Sequence, residues 1–146
     1  MADEQQYPLP VFHFEVQWGG TNVGFAEVSG LNIEQQVIEY RDGKSNTYSS
    51  IKMPGIPKYG NITLKRGIIP ADNQFFDWLN TTALNKVERR DLTIMLLNEN
   101  HEGVMVWKAK SAFPVKIEAP GLKATGNEVA IESIELAHEG LTIQNG

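Results

Sequence analysis

The sequence predicts a mainly β fold: a β-barrel of two rolled, packed antiparallel sheets with one flanking α-helix and a long extended loop. Two observations support this prediction. Apolar and polar residues alternate with the two-residue period of half-buried strands over about seven short segments. Only one segment has the broader apolar face of a helix. Many short strands with a single helix favour a barrel or a tightly rolled sandwich.

Three strands are predicted near the N-terminus. The first runs from Val11 to Trp18, and Gly19-Gly20 then provides the positive φ angles of a tight hairpin turn. The second strand covers about Asn22 to Ser29. The third, Ile33 to Arg41, has apolar residues on both faces, interleaved with Glu and Gln. A strand that is half-wet on both faces suits a projecting or subunit-facing position.

The segment from Asp42 to Tyr59 is interpreted as a projecting loop without secondary structure. It exceeds the ~12–15 residues beyond which an unstructured connection is usually functional or disordered. It also contains apolar side chains that need a surface to pack against: Tyr48, Ile51, Met53, Ile56 and Tyr59. The loop therefore indicates that another subunit completes part of this protein's surface.

The remaining elements follow the loop. A strand from Asn61 to Arg66 precedes a helix over about 71–81, which Asp72 is expected to cap. The apolar face of this helix is predicted to contain Phe75, Phe76, Trp78 and Leu79. Three later strands are predicted: Asp91 to Asn98, Val104 to Phe113, and about Glu128 to His138. Pro114 and Pro120-Gly121 are expected to interrupt the chain between the last two.

Composition and charge narrow the functional classes. The chain has 146 residues, 41% hydrophobic and 21% charged, and we expect one domain over residues 1–146. A formal charge of −5 argues against non-specific nucleic-acid binding. The absence of cysteine excludes disulfides, thiolate catalysis and Cys-based zinc sites. The N-terminus is acidic and polar, and no apolar run approaches the ~18 residues of a membrane span, so we expect cytoplasmic synthesis without stable membrane insertion.

The histidines give little support for catalysis. No Gly-x-Ser-x-Gly motif is present, and the three histidines are scattered along the chain. His101 and His138 are expected to be solvated, in a hairpin loop and at a strand end. His13 and Glu15 share a strand face, but two ligands alone do not make a metal site.

The acid pairs are expected on solvated strand faces, and the basic pairs are isolated dipeptides. Acid pairs catalyse glycoside hydrolysis only in a cleft where one pKa is raised, and the sequence shows no such cleft for Glu34 with Glu39 or Glu132 with Glu135. The dipeptides Lys65-Arg66 and Arg89-Arg90 form no basic patch because adjacent strand residues point to opposite faces. We therefore predict that the protein is not an enzyme and has no cofactor, metal or small-molecule substrate.

Several fragments, in their order and spacing, resemble one known family. They are Pro8–Val16 with Trp18-Gly19-Gly20, Phe25–Leu31, Val37–Gly43, Lys52–Gly55, Asn61–Gly67, and Phe75 with Trp78. From about Leu9 to Leu141 the chain is similar to the inner tube proteins of contractile tails and of extracellular contractile injection systems. The resemblance implies a β-barrel subunit with one flanking helix. It also implies that the subunit has no catalytic activity.

The resemblance also implies partners and a location. Subunits would form homohexameric rings that stack into a rigid hollow tube, in contact with sheath and baseplate proteins. After sheath contraction, cargo such as protein would pass along the lumen. The chain would be made in a bacterial cytoplasm and assembled into a phage-tail-like particle. The loop would contact a neighbouring subunit or the adjacent ring through Tyr48, Ile51, Met53, Ile56, Lys58 and Tyr59.

Other interpretations stay open at this stage. A tail tube of a contractile-tailed phage would conduct DNA instead of protein. From a different class, a ligand-binding β-barrel could line a cavity with aromatic residues such as Trp18 and Trp107. A hydrolase would need a clustered acid pair in a cleft.

Overall fold

The computed structural model describes residues 13–19, 24–41, 43, 51–70, 72–83 and 87–145. Within these ranges the chain forms nine strands and one helix. The strands are β1 (Phe14–Gln17), β2 (Glu27–Ser29), β3 (Ile33–Tyr40), β4 (Ile51–Tyr59), β5 (Ile62–Gly67), β6 (Arg90–Leu97), β7 (Gly103–Glu118), β8 (Ile131–Ala137) and β9 (Gly140–Asn145). Helix α1 spans Gln74–Ala83, between β5 and β6. The predicted fold class, mainly β with antiparallel sheets and one flanking helix, is confirmed.

Seven of the described strands form one continuous antiparallel sheet. Six follow the order β1-β6-β7-β8-β5-β2, and β9 also pairs with β7. The first part of β7 pairs with β6 and β9, and its last part pairs with β8. The change of partner falls next to Ser111, whose φ of 53° is left-handed and whose N–H donates to Asp91 Oδ1 at 2.9 Å. The register with β6 shifts at the same place, between Arg90 and Leu92, which marks a bulge. A bulge bends a strand, so β7 connects two halves of the sheet.

The core lies between these two halves and beneath α1. Alternate side chains of the central strands point inward, as Ile62 and Leu64 of β5 and Leu92 and Ile94 of β6 do. Trp18 and Phe75 meet edge-on, with ring centroids 5.2 Å apart. The other buried apolar residues are Val16, Trp78, Leu92, Ile94, Ala109, Ala112, Ile134, Leu136 and Leu141. The interior near Trp18 is therefore filled by side chains.

The predicted hairpin between the first two strands is wrong. Gly19 does have a positive φ of 80°, but β1 pairs with β6 and β2 pairs with β5. β1 and β2 therefore lie in different halves of the sheet, and Trp18 and Phe25 meet in the core with ring centroids 6.0 Å apart. Two short apolar strands joined by Gly-Gly do not reveal whether they pair with each other or with distant strands.

Two differences concern the C-terminal half. Pro114 does not end the strand, because β7 continues to Glu118. The proline lies beside the register shift between Pro114 and Lys116, where the ladder with β8 is irregular, and such a position tolerates a residue without an N–H. The sequence reasoning also missed β9, a short strand that follows β8 along the same edge of β7.

The helix matches its prediction in most respects. Asp72 Oδ1 accepts a hydrogen bond from the Gln74 backbone N–H at 3.1 Å, as expected of a cap. Phe75 and Trp78 are buried, and Trp78 Nε1–H donates to the Glu88 carbonyl at 2.7 Å. Phe76, however, is 62% exposed. It follows Phe75 by one residue, about 100° around the helix, and so points away from the core.

A buried arginine joins three elements of the fold. Arg66 of β5 is fully buried, and its Nε donates to Glu132 Oε1 of β8 at 2.7 Å. Its Nη1 and Nη2 donate to the two carboxylate oxygens of Asp72 at 3.2 and 3.3 Å. The guanidinium carbon lies 3.9 Å from the centroid of the Phe75 ring. The prediction that Glu132 is a solvated strand residue is therefore wrong, because it pairs with a buried charge.

We expect Arg66→Ala to lower the free energy of unfolding by about 3–5 kcal/mol, because it leaves two carboxylates without their buried partner. Urea denaturation followed by tryptophan fluorescence measures the change. Lys65→Ala is the matched control, since Lys65 forms an exposed ion pair with Glu27 at 3.2 Å. The control should change stability by only about 0–1 kcal/mol. Equal effects of the two substitutions would contradict the assigned role of Arg66.

The Asp72 carboxyl predicts how stability depends on pH. The hydrogen bond from the Gln74 backbone N–H, with a smaller contribution from Arg66, holds the pKa of Asp72 below its ordinary value of 3.8, although burial opposes them. Its stabilising contribution is therefore fully present above that value and is lost as the pH falls through the lower folded pKa. The difference in the free energy of unfolding between the unmodified protein and Asp72→Asn should shrink as the pH falls from 7 to about 3. Urea denaturation at both pH values tests this, and a constant difference would contradict it.

Candidate subunit interface

Strands β3 and β4 form a separate two-stranded sheet, which we call the β3–β4 hairpin. Its register runs from Ile33 opposite Tyr59 at the base to Tyr40 opposite Ile51 at the distal end. Neither strand pairs with the seven-stranded sheet in the part of the chain that the structure describes. All of β3 is exposed, as predicted for a strand that is wet on both faces. An isolated two-stranded sheet is marginally stable in water, so the hairpin needs a further surface to pack on.

Glycine and histidine hold the base of the hairpin. Gly30 precedes β3 with a φ of 88°, and a Cβ at this position would lie 1.9 Å from the Asn61 carbonyl oxygen. The Gly60 N–H donates to the Asn32 carbonyl at 3.2 Å. His138 Nε2 lies 2.9 Å from the Gly60 carbonyl oxygen and Nδ1 lies 3.2 Å from the Gly140 carbonyl oxygen, so this ring links the base to the start of β9. The prediction of a solvated His138 is wrong, because its side chain is half-buried in this contact.

A bulge interrupts the middle of the hairpin. The register shifts between Gln35 and Val37, and the Gln35 side-chain amide donates to the Gly55 carbonyl. A Cβ at Gly55 would lie 3.1 Å from the Gln36 carbonyl oxygen, so the glycine permits a close approach of the two backbones. Ile56, also in the bulge, is 73% exposed.

The predicted loop from Asp42 to Tyr59 is therefore wrong over Ile51–Tyr59, which is strand β4. Pro54, Gly55 and Pro57 hide the strand in the sequence, because all three residues are depleted in strands. The structure accommodates them because β3 is the one partner that β4 has among the described strands. A strand with a free edge tolerates proline where the missing N–H faces away from its partner.

Four exposed apolar side chains lie together at the distal end of the hairpin. Residues paired across an antiparallel ladder share a face, so Ile38 opposite Met53 and Tyr40 opposite Ile51 form one surface. We call these four residues the distal apolar patch, and their exposed fractions are 49%, 42%, 52% and 66%. Clustered exposed apolar side chains mark interaction sites.

The structure separates the residues predicted for the interface. Ile51 and Met53 belong to the distal apolar patch, and Lys58 is exposed opposite Glu34. Tyr59 lies at the base of the hairpin, where it packs against the core, with its ring centroid 5.6 Å from that of His138. Tyr48 lies outside the described residues.

The sequence predicts a subunit-facing position for the strand that contains Ile38 and Tyr40, but these two residues are not among the predicted interface residues. The alternation of apolar and polar residues in β3 places Ile38 and Tyr40 on one face of the strand. This alternation identifies an apolar patch only once β4 is known to be the partner strand, because β4 supplies the other half of the patch.

Other candidate sites have little geometric support. His13 packs against His101, with ring centroids 5.2 Å apart, and the described residues contain no group of three or more side chains that could hold a metal ion. Trp107 lines an open apolar cleft of about 590 Å³ with Phe14 and Leu96, whereas Trp18 is buried in the core. The predicted cavity lined by both tryptophans is therefore wrong. Within the described ranges, no helix is long and apolar enough to cross a membrane.

Comparison with known proteins identifies the relatives of this fold. Residues 10–142 match the family model of the T4-like virus tail tube protein gp19. No curated protein sequence matches the chain.

Three solved structures are similar over nearly the whole chain. The tube-terminating cap of the anti-feeding prophage is 39% identical, with a TM-score of 0.89 over 100% of this chain and 97% of that one. A chain of the extended sheath–tube complex of PVC, an extracellular contractile injection system, is 40% identical, with a TM-score of 0.87 over 97% and 94%. A chain of the extended PVC sheath/tube terminator is 41% identical, with a TM-score of 0.86 over 95% and 98%.

We expect Gly55→Val to loosen the hairpin without disturbing the core, because the new side chain meets the Gln36 carbonyl and Ile38. Amide hydrogen exchange followed by mass spectrometry should show faster exchange over β3 and β4 and unchanged exchange over β5 and β8. Gly121→Val is the matched control, since nothing lies within 4 Å of its Cβ position. Equal exchange in both variants would show that the bulge does not require glycine.

Proposed function

This chain belongs to the T4-like virus tail tube protein family, and on that basis we propose that it is the repeating subunit of the inner tube of a contractile injection particle. Copies would close into hexameric rings, and the rings would stack into a rigid hollow tube inside a contractile sheath. The proposal includes contacts with sheath and baseplate proteins, and delivery of cargo along the lumen after contraction. We also propose that residues 1–146 act as a single domain.

The observation that supports this function most directly is the exposed β3–β4 hairpin. A monomer gains nothing from a two-stranded sheet that presents the distal apolar patch to water, because the burial of apolar side chains is what stabilises such a sheet. A contact with another copy would bury the patch. In a ring or a stack of identical subunits, every copy both offers and receives such a contact.

The similar solved structures favour an injection particle over a phage. Chains at 39–41% identity come from the anti-feeding prophage and from an extracellular contractile injection system. The particle would be assembled from chains made in a bacterial cytoplasm. The second candidate, a phage tail tube that conducts DNA, is favoured by the viral tail tube family model that matches residues 10–142.

A structural role without catalysis completes the proposal. Among the described residues, the ion-pair cluster of Arg66 with Asp72 and Glu132 has a buried centre and links elements of the fold. The carboxylates of Asp72 and Glu132 form ion pairs with Arg66. A tube subunit needs a rigid and repeatable shape, and a cluster of this kind supplies rigidity.

The interface is proposed to include Ile51, Met53, Ile56 and Lys58, with Ile38 and Tyr40 added from the hairpin geometry. The proposed interface also includes Tyr48 and Tyr59, and Tyr59 would contact the neighbouring copy from the base of the hairpin. Buried aromatic and aliphatic side chains contribute most of the binding energy at interfaces, so the apolar members should matter more than Lys58.

Negative-stain microscopy of the concentrated protein should show rings or stacked tubes. The double substitution Ile51→Asp with Met53→Asp should abolish them, because it places two charges in a surface that assembly removes from water. Sedimentation velocity should then report monomers, and circular dichroism should report an unchanged fold.

Val115→Asp is the matched control, since Val115 is 45% exposed on β7 and lies outside the hairpin. This variant should assemble like the unmodified protein. Tubes that form equally well from the double variant would refute the assignment of the hairpin to the interface. A strictly monomeric unmodified protein would refute the proposed function itself.

A further inference from the structure

An open apolar cleft lies between the first and last strands of the seven-stranded sheet. In the strand order β1-β6-β7-β8-β5-β2, β1 and β2 are the two ends, and each has one partner among the described strands. Phe14 of β1 and Val28 of β2 line the cleft, and Ile94, Leu96 and Trp107 form part of its wall. The cleft therefore occupies the gap that separates the two ends of the sheet.

This gap is closed on one side and open on the other. Trp18, which follows β1, meets Phe25, which precedes β2, with ring centroids 6.0 Å apart. On the other side, the chain enters β1 at Phe14, whose side chain lines the cleft. The backbone is held there, because the Leu97 N–H donates to the His13 carbonyl at 2.8 Å. The residues that precede His13 therefore join the described chain at the open side of the cleft.

The sequence before His13 changes from polar to apolar. Residues 2–6 are Ala-Asp-Glu-Gln-Gln, whereas residues 7–12 are Tyr-Pro-Leu-Pro-Val-Phe and carry no charge. Apolar side chains in such a run gain free energy when they leave water. Phe12 precedes Phe14 by two residues, and alternate residues of an extended chain share a face. Six extended residues span roughly 20 Å, which is enough to lie along a cleft of about 590 Å³.

We propose that residues 7–12, which we call the apolar strap, dock in this cleft of their own chain. Leu9, Val11 and Phe12 supply the apolar side chains, and the polar residues 2–6 stay in solvent. The strap covers Trp107 and the gap between β1 and β2, so the subunit exposes less apolar surface. The contact lies within one copy and does not depend on the proposed assembly.

Two prolines specify how the strap binds. Pro8 and Pro10 lack a backbone N–H, and residues two apart in an extended chain direct these groups to the same edge. One edge of the strap therefore lacks two of the donors that a strand needs for pairing. The strap accordingly does not complete the sheet as a strand paired on both edges. Its docking depends on the burial of side chains.

Engineered cysteines test this contact, because the chain contains no native cysteine. Leu9→Cys marks the strap, and Ala26→Cys marks the cleft, which Ala26 lines. In the double variant, oxidised glutathione should produce a disulfide within one chain, which mass spectrometry detects in the denatured monomer. Leu9→Cys with Met95→Cys is the matched control, since Met95 lies between Ile94 and Leu96 but on the opposite face of β6. The cleft disulfide should form about tenfold faster than the control disulfide, because docking raises the effective concentration of the two thiols.

Two outcomes of the cysteine experiment would overturn the proposal. Equal rates in the cleft variant and the Met95→Cys control would show that the strap does not dock in the cleft. An equimolar mixture of the single variants Leu9→Cys and Ala26→Cys should form little disulfide between chains. A disulfide that forms in this mixture as fast as in the double variant would place the strap in the cleft of a neighbouring copy.

Acrylamide quenching of tryptophan fluorescence is a second test, which needs no cysteine. Trp18 and Trp78 are buried, so quenching reports mainly on Trp107, which is half-buried in the cleft. The double substitution Leu9→Asp with Phe12→Asp should raise the quenching constant roughly twofold, because charged side chains are unfavourable in an apolar cleft. Gln5→Asp with Gln6→Asp adds the same charge at polar positions and should leave quenching unchanged. Circular dichroism should report the same fold for both variants, and equal quenching in the two would overturn the proposal.

Discussion

The arrangement of this subunit depends on the buried guanidinium of Arg66. Its three hydrogen-bonding nitrogens reach β8 through Glu132 and the start of α1 through Asp72, while its face lies on Phe75. A buried ion cluster of this kind contributes little net stability compared with apolar packing of the same volume. Its effect is geometric, because the carboxylates are satisfied in one arrangement of helix and sheet. The cluster thus holds α1 over the core and fixes the end of β5 from which Ile68 and Ile69 emerge.

The opposite end of β5 is constrained by backbone contacts and not by charge. Gly30 lies so close to the Asn61 carbonyl that no side chain fits there, and His138 contacts the carbonyl of Gly60. The hairpin therefore leaves a rigid base, although its own strands bury almost nothing in the isolated subunit. A rigid base lowers the entropy that a docking event must remove, since fewer conformers of the hairpin are available before contact.

The subunit is built as a stable core with an incomplete extension. The core buries its aromatic and aliphatic side chains between the two halves of the sheet and α1. The β3–β4 hairpin lacks a hydrophobic layer of its own and leaves the distal apolar patch exposed. A surface of this kind is a hazard in a monomer, because an exposed apolar strand pair promotes aggregation. In the proposed repeating assembly the same surface would direct association, and the prolines of β4 would limit strand addition at its free edge.

The spacing of apolar residues along the chain predicts much of the fold. It also predicts that β3 is exposed in the candidate interface. The alternation in β5 places Arg66 on the same face as Ile62 and Leu64, a signal that was present in the sequence but suggests burial only if partners exist. Those partners, Asp72 and Glu132, are six and 66 residues away along the chain. Sequence distance does not reveal such contacts. The Gly19-Gly20 turn was misassigned for the same reason, because the partners of β1 and β2 lie far along the chain.

The sequence by itself determined the fold class, most strand positions, the capped helix and the exposed character of β3, because these depend on local periodicity and capping chemistry. Only the tertiary structure decided that Ile51–Tyr59 is a strand, since Pro54, Gly55 and Pro57 are compatible with a strand only beside a bulge and a free edge. It also decided that Ile38, Tyr40, Ile51 and Met53 form one surface. Strand register sets which side chains become neighbours, and register results from pairing between segments that are separate in the chain.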